Sequence, residues 1–437
     1  MEERAEKHRP CDIQLKPRFS HNELALLALL FSATVVIATG IQMGNALFPS
    51  LSRLMNVPVS TVTLLVSVWA FTGMLSPLFG PPSDRYGHGA FVLIGLGSFT
   101  IGNLLCAVAP NFSALLVFQV LVGLGYAVFS FSASAIVGDV FTYEVRARAM
   151  SMVRIAVSVT GLVGVPVAAA IADRATARGS FGTVGGLSLF VLILAWALLP
   201  RSPHQEANVP SLEVRSGLWW PVKEIARQRP AMVGLLTLAV WAMIPTGVFM
   251  YLAAWLEQTF QLAEMQIGLA FSLAGVGGLI GNALTAAWAD RLGKKRSALL
   301  GLLALSMAAM LLPRLASLVA ALFCLVILVA ALESSTAAFG TLMTELAPAR
   351  RGTLMSLVSL AIGVGTGAAP LVMRPLWENG GYGLVTLTLG VAGLGLAIVI
   401  GSLVTEPQPP APTQASYQGE PYDDPPKPHD GPQRWRS

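Results

Sequence analysis

Very few groups in this chain can do acid, base or ion-pair chemistry, and their spacing is ordered. Asp84, Arg85 and Gly87 stand in G-P-P-S-D-R-Y-G, which opens at Gly80, and Asp290, Arg291 and Gly293 stand in A-A-W-A-D-R-L-G, close to half a chain further on. A carboxylate in such a turn can accept the free N–H groups at the start of a helix, while the adjacent guanidinium pairs with a neighbouring acid. These contacts form in one arrangement of the helices and break in another, so the chemistry is that of a latch. A further acid, Glu333, stands inside an apolar run beside Ser335, Thr336 and Gly340. If that run crosses a membrane, Glu333 falls near its middle, where an acid is costly and marks a proton or solute site by default.

The elements that must carry these groups are membrane spans. Apolar residues make up 54% of the 437 and charged residues 12%, against about 25% charged in an ordinary soluble domain. Long stretches between charges, such as 23–53 and 85–139, leave room for spans of about 20 residues. Cutting at turn residues gives twelve helices, near 24–50, 60–82, 90–109, 112–139, 148–172, 183–200, 231–256, 265–288, 297–312, 316–344, 353–374 and 382–404. The expected fold is therefore an all-α membrane protein of two six-helix bundles, 24–200 and 230–404. A cytoplasmic segment 1–23, a central linker 201–229 with Trp219 and Trp220 in an interfacial helix, and a disordered tail 405–437 complete the chain.

Basic residues set the expected orientation. Of the 28 Lys and Arg, Arg53, Arg174, Arg178, Arg314 and Arg374 fall on the face opposite the N-terminus and Arg154 falls within a span, and the others share the N-terminal face. That bias places both termini in the cytoplasm and the protein in the cytoplasmic (inner) membrane. A pI near 9.3 then reports topology and gives no support to a nucleic-acid partner. Cys11, Cys106 and Cys324 have no paired spacing, and the five histidines lie outside the spans, so neither a metal nor a haem is expected. No G-x-x-x-x-G-K-[ST] occurs, so nothing points to ATP.

The duplication extends past the paired turns. Met150-Ser151 matches Met355-Ser356, and Pro166, after Gly161 and Gly164, matches Pro370, each at nearly the same interval. Six spans per half make the repeats parallel, and internal repeats of this kind build two bundles around a central site.

These landmarks resemble the major facilitator superfamily, whose signature G-x-x-x-D-R-x-G-[RK]-[RK] lies between spans two and three. Gly80, Asp84, Arg85 and Gly87 match it, with His88 and Gly89 in place of the basic pair; the second copy keeps Lys294 and Lys295 but opens on Ala286. The resemblance implies a cytoplasmic latch formed by Asp84 and Arg85, with Asp139 as partner of Arg85 and Arg146 or Arg148 completing the cluster. Asp290, Arg291 and Glu345 form the weaker second copy. G-L-V-G-V-P in span five is similar to the glycine-proline motif of the drug:proton antiporter branch, particularly its sugar-efflux-like members, and Gly161, Gly164, Pro166 and Pro370 are read as close-packing positions. Gln119 stands where many of those antiporters carry an arginine, a departure at a position tied to proton coupling.

In the family, spans one, four, seven and ten line the cavity. The corresponding residues are Gln42 and Asn45, Gln119, Tyr126 and Ser130, Tyr251 and Trp255, and Thr336, with Glu333 and Arg154 as coupling groups. Arg154 can equally snorkel to the headgroups. The expected function is proton-coupled efflux of a small organic compound by a monomer without cofactor, driven by the proton motive force. Uptake or facilitated diffusion of a metabolite is the second reading, and a transporter-like receptor or assembly partner without turnover is the third. None of the three is an enzyme.

Overall fold

The computed structural model describes residues 20–79, 82–83, 86–141, 143–199, 229–292, 294–346 and 351–403. The expected linker helix around Trp219 and Trp220, the N-terminal segment up to residue 19 and the tail lie outside them. All regular structure among the described residues is helical.

Helix α1 runs His21–Met55 and starts on a capping box in which Ser20 and Glu23 satisfy each other's backbone N–H groups. It ends on Asn56 in the left-handed region, at φ 52°. We call this end of the molecule distal and the end holding the α1 N-terminus proximal. Two short helices follow, α2 (Val59–Val62) and α3 (Leu64–Gly73), then a 3-10 turn at Ser76–Phe79. The expected span 60–82 is thus shorter as α-helix, because Pro77 cannot supply the N–H that the Gly73 carbonyl would take in a continuing helix.

Next come α4 (His88–Ala107), α5 (Phe112–Val140) and α6 (Tyr143–Val159), a π-turn at Thr160–Gly164, and α7 (Val165–Leu198). The second half holds α8 (Arg229–Phe260), α9 (Glu264–Leu292), α10 (Lys294–Leu311), α11 (Leu318–Leu346) and α12 (Arg351–Leu403). Helix α7 is broken at Thr176 and α12 at Gly381, where φ reaches 71° and 61°, so each is two antiparallel spans joined by a one-residue turn. Among the described residues nine helices are long and apolar enough to cross a membrane, with Val59–Gly73 as a shorter apolar one. Counting the two broken helices twice, this fits twelve spans.

The side chains are sorted as a bilayer requires. Phe48, Phe99, Phe129, Phe181 and Tyr251 are fully buried between helices, while Val319 (78% exposed), Ile398 (73%) and Phe323 (68%) stand outward. Large apolar groups on the outer surface of apolar helices face hydrocarbon. The two bundles, α1–α7 and α8–α12, meet along α7 with α9, α3 with α12, and α1 with α8.

Candidate functional site

Glu333 is positioned by two glycines on the neighbouring helix. A side chain at Gly281 would put its Cβ 2.2 Å from the Ala330 carbonyl oxygen, and one at Gly277 would put it 2.5 Å from that of Val326, so α9 and α11 touch backbone to backbone. This small-xxx-small spacing is the usual device for close helix approach in a membrane. It brings Asn282 beside Glu333: Asn282 Nδ2 donates to Glu333 Oε2 at 3.4 Å and to the Gly278 carbonyl at 3.0 Å. Ser335 and Thr336 each donate to the Leu332 carbonyl, at 2.8 and 2.7 Å. Thr336 is exposed and Ser335 buried, so Thr336 shares the accessible side of α11 with the half-buried acid. Gly277, Gly281 and Asn282 were not singled out from the sequence, although the G-x-x-x-G spacing that marks them is legible there.

The other bundle encloses a set of uncharged polar groups. Gln119 on α5 is 7% exposed, and its Oε1 has no hydrogen-bond partner. It lines a cavity of ≈ 10 Å³ with Asn45, Phe48, Trp69 and Phe181, room for about one water. Further along α5, the Tyr126 ring meets Trp69 edge-on at 6.2 Å, its hydroxyl bonds to Ser130, and Ser134 donates to the Ser130 carbonyl at 2.9 Å. Gln42 reaches the seam between bundles, with its Oε1 4.0 Å from where a Cβ on Gly161 would stand.

Tyr251 and Trp255, expected along the cavity, are 0% and 7% exposed and pack against aromatic rings of α12. Tyr251 stacks on Trp377 with ring centroids 4.5 Å apart and planes at 6°, and Trp255 stacks on Tyr382 at 5.1 Å. These stacks clamp α8 to the break in α12, and the Tyr382 hydroxyl donates to the Val248 carbonyl at 3.2 Å.

At the distal end the bundles are clasped by charge. The Arg53 guanidinium bridges Glu257 and Glu264, the latter at 2.9 Å, tying the end of α1 to the α8–α9 turn. Ser60 Oγ donates to Glu378 Oε1 at 2.8 Å, and Arg374 Nε donates to the same oxygen at 2.9 Å. These hydrogen bonds, first from Arg374 and then from Ser60, hold the Glu378 carboxyl below its ordinary value of 4.5. A depressed carboxylate pKa contributes stability above the ordinary value and loses it as pH falls through the folded one. Glu378→Gln is therefore expected to lower the thermal midpoint at pH 7, with the difference from wild type vanishing on acidification below pH 4.5. A difference that stays constant across that range would show that the carboxylate charge does not hold the clasp.

At the proximal end Gly87 takes φ 90°, a conformation open to glycine, and starts α4. Asp139, expected opposite Arg85, has His88 as its partner among the described residues, with Nε2 3.5 Å away, an ion pair when the imidazole is protonated. The short polar ring that replaces the family's basic residue thus meets the acid at the end of α5. Gly80, Asp84 and Arg85 lie outside the described residues, as do the side chains of Arg146, Arg148, Arg154, Asp290, Arg291 and Glu345. Lys295 Nζ donates to the Gly401 carbonyl at 2.9 Å.

The glycine-proline segment lies at the bundle seam. Gly164 makes room for Thr39, whose Oγ1 would be 2.2 Å from a Cβ there, and Gly161 faces Gly275 on α9. Pro166 opens α7 directly after the π-turn. Pro370 is buried within α12, one turn from Gly367, whose missing side chain admits the Phe71 ring.

Two bundles of apolar spans, clasped at one end and holding a half-buried acid midway along α11, define a multi-pass membrane transporter. The Major Facilitator Superfamily model matches residues 30–330 and 242–436, and the chain belongs to that family, whose members are transporters and not enzymes. It is 26% identical over 397 residues to the uncharacterized MFS-type transporter YwfA of Bacillus subtilis (strain 168), covering 89% of this chain and 94% of the relative. It is 23% identical to a probable sugar efflux transporter of Helicobacter acinonychis (strain Sheeba), over 63% of this chain and 69% of that one. Among solved structures, a bacterial homolog to the human lysosomal transporter Spinster, in an inward-facing and unoccupied conformation, shares the fold. Its TM-score is 0.69 at 18% identity, over 89% of this chain and 97% of that one.

Proposed function

We propose that this transporter exports a small, moderately apolar organic compound in exchange for protons, with Glu333 as the group that cycles between them. The observation that carries the reading is the placement of Glu333 midway along α11, bonded to the neutral amide of Asn282. An amide can donate to the carboxylate and accept from the carboxylic acid, so this contact can be kept in both protonation states. Across the bundles, the bare Gln119 carbonyl, Asn45 and the Trp69–Tyr126 pair offer hydrogen bonds and aromatic surface to a neutral or weakly polar solute. The similarity to a probable sugar efflux transporter agrees with export.

With both termini in the cytoplasm of a cell whose inner membrane holds a monomer, the distal clasp closes the outer face and the site loads from inside. The test is a ligand screen by thermal shift, followed by flux of each hit in liposomes. An imposed proton gradient should drive accumulation against the solute gradient, and an ionophore that collapses it should abolish accumulation. Gln119 in place of the antiporter arginine favours a second reading, facilitated diffusion. In that case the ionophore leaves the initial rate of equilibration unchanged, and the exchange mechanism is refuted.

A further inference from the structure

Among the described residues, two hydrogen bonds join the bundles inside the membrane, and they are copies of each other. Ser67 Oγ on α3 donates to the Gly367 carbonyl on α12 at 2.7 Å, and Ser272 Oγ on α9 donates to the Leu162 carbonyl in the π-turn, also at 2.7 Å. The interval that separates Ser67 from Ser272 also separates Leu162 from Gly367. Each bundle therefore gives one serine to the other and receives one on a backbone carbonyl, as an internal two-fold repeat requires.

The acceptor at Leu162 has a specific origin. In a regular helix its carbonyl takes the N–H of the residue four positions on, which is Pro166 and has none. The segment adopts a π-turn, and the Val165 N–H reaches back to the Thr160 carbonyl. The carbonyl that proline deprives of its regular donor is the one that Ser272 bonds. Close approach is possible because Gly275 stands one turn beyond Ser272, where a Cβ would lie 3.2 Å from the Leu162 N. On the other seam Gly367 is both the acceptor and the residue whose absent side chain leaves room for Phe71.

We propose that these two serine-to-carbonyl bonds are pivots about which the two bundles rock, and that they persist while the distal clasp opens. The proposal rests on the export reading above, in which a central site must open to each side in turn by movement of one bundle against the other. Ser67 and Ser272 each stand eight residues from the distal start of their span, so both bonds lie about 12 Å inside it, near the level of the bilayer centre. Points near the axis of a rocking motion move least, and Arg53 and Glu378, at the rim, move most. The acceptor geometry fits this: a carbonyl oxygen takes a hydroxyl over a broad range of directions, whereas the Arg53 fork on two carboxylates tolerates little rotation. Breaking the bonds in every cycle would leave the buried Ser67 hydroxyl and a carbonyl unsatisfied in a dry region, a cost that persistence avoids.

The experiment reads conformation without any substrate. In a background with Cys11, Cys106 and Cys324 replaced, Asn45→Cys reports distal opening by its labelling with an impermeant maleimide from the distal side. Arg53→Gln, which removes the Arg53 half of the clasp, is expected to raise the labelling rate about tenfold, equivalent to about 1.4 kcal/mol. Ser67→Ala with Ser272→Ala is expected to leave the rate within about twofold of the background while lowering the thermal midpoint by about 2 °C, and Ser67→Thr with Ser272→Thr to restore the midpoint. A rise in labelling like that of Arg53→Gln would make the serine bonds part of the gate and overturn the pivot. An unchanged midpoint would overturn it too, because the bonds would then not hold the bundles together. Absence of flux in liposomes by the protein with Asn45 in place, together with the expected labelling pattern, would refute the transport reading and leave the pivot standing.

Discussion

Glu333→Gln protein is expected to equilibrate its substrate across a liposome membrane and to lose the ability to concentrate it. A proton moving down 100 mV releases about 2.3 kcal/mol, enough to sustain a gradient of roughly fifty-fold at tenfold per 1.4 kcal/mol. Glutamine keeps the size of the side chain and a carbonyl that can accept from Asn282 Nδ2, the contact seen at 3.4 Å, so α9 and α11 should stay in place. What it cannot do is bind and release a proton. Accumulation driven by an imposed pH gradient should fall to the equilibrium ratio, while counterflow of labelled against unlabelled substrate continues. Full accumulation by the variant would remove Glu333 from the coupling step, and loss of counterflow as well would assign it to binding the cargo.

Gly281→Val should be more damaging than any substitution of a polar residue on the same helix. The added Cβ would stand 2.2 Å from the Ala330 oxygen and 2.8 Å from its carbonyl carbon, and both are backbone atoms that cannot rotate away. Helix α9 must then move off α11, with an overpacking cost of about 1–3 kcal/mol. The separation also withdraws Asn282 from Glu333. The expected result is a lower thermal midpoint and loss of gradient-driven accumulation. Gly278→Ala is the internal control: its Cβ would meet Glu333 Cγ at 3.5 Å, an ordinary contact, so stability and transport should be retained. Equal tolerance of both variants would mean that the backbone contact does not position the acid.

The spans and the faces they present to one another were unequally visible in the residues themselves. Apolar runs between turn residues outlined the spans from 24–50 to 382–404, and the helices fit that number once the breaks at Thr176 and Gly381 are counted. The reason is local: a segment inside a bilayer must satisfy its own backbone hydrogen bonds, so length and apolarity alone specify a helix. Facing was not legible in the same way. Tyr251 and Trp255 are four residues apart and read as one polar-aromatic face, but Trp377 and Tyr382 take that face as a stacking surface. Arg53, Glu257 and Glu264 sat at the ends of spans as separate charges and carried no sign that one guanidinium would hold both acids. Ser67 and Ser272 are hydroxyls in apolar runs and carry no mark of the carbonyls they bond.

Composition and the repeated D-R-x-G turns by themselves determined an all-helical, duplicated membrane protein with an acid at mid-depth in the second half. Only the tertiary structure decided that Asn282 is a partner of this acid, that Gln119 keeps a bare carbonyl, and that the bundles are tied by Arg53 at the rim and by paired serines within. Lipid and protein interior accept the same apolar side chains, so the hydrophobic pattern that outlines each span cannot say which face meets a neighbour. That choice is made by the few polar and glycine positions on each helix, and their partners lie on helices distant in sequence.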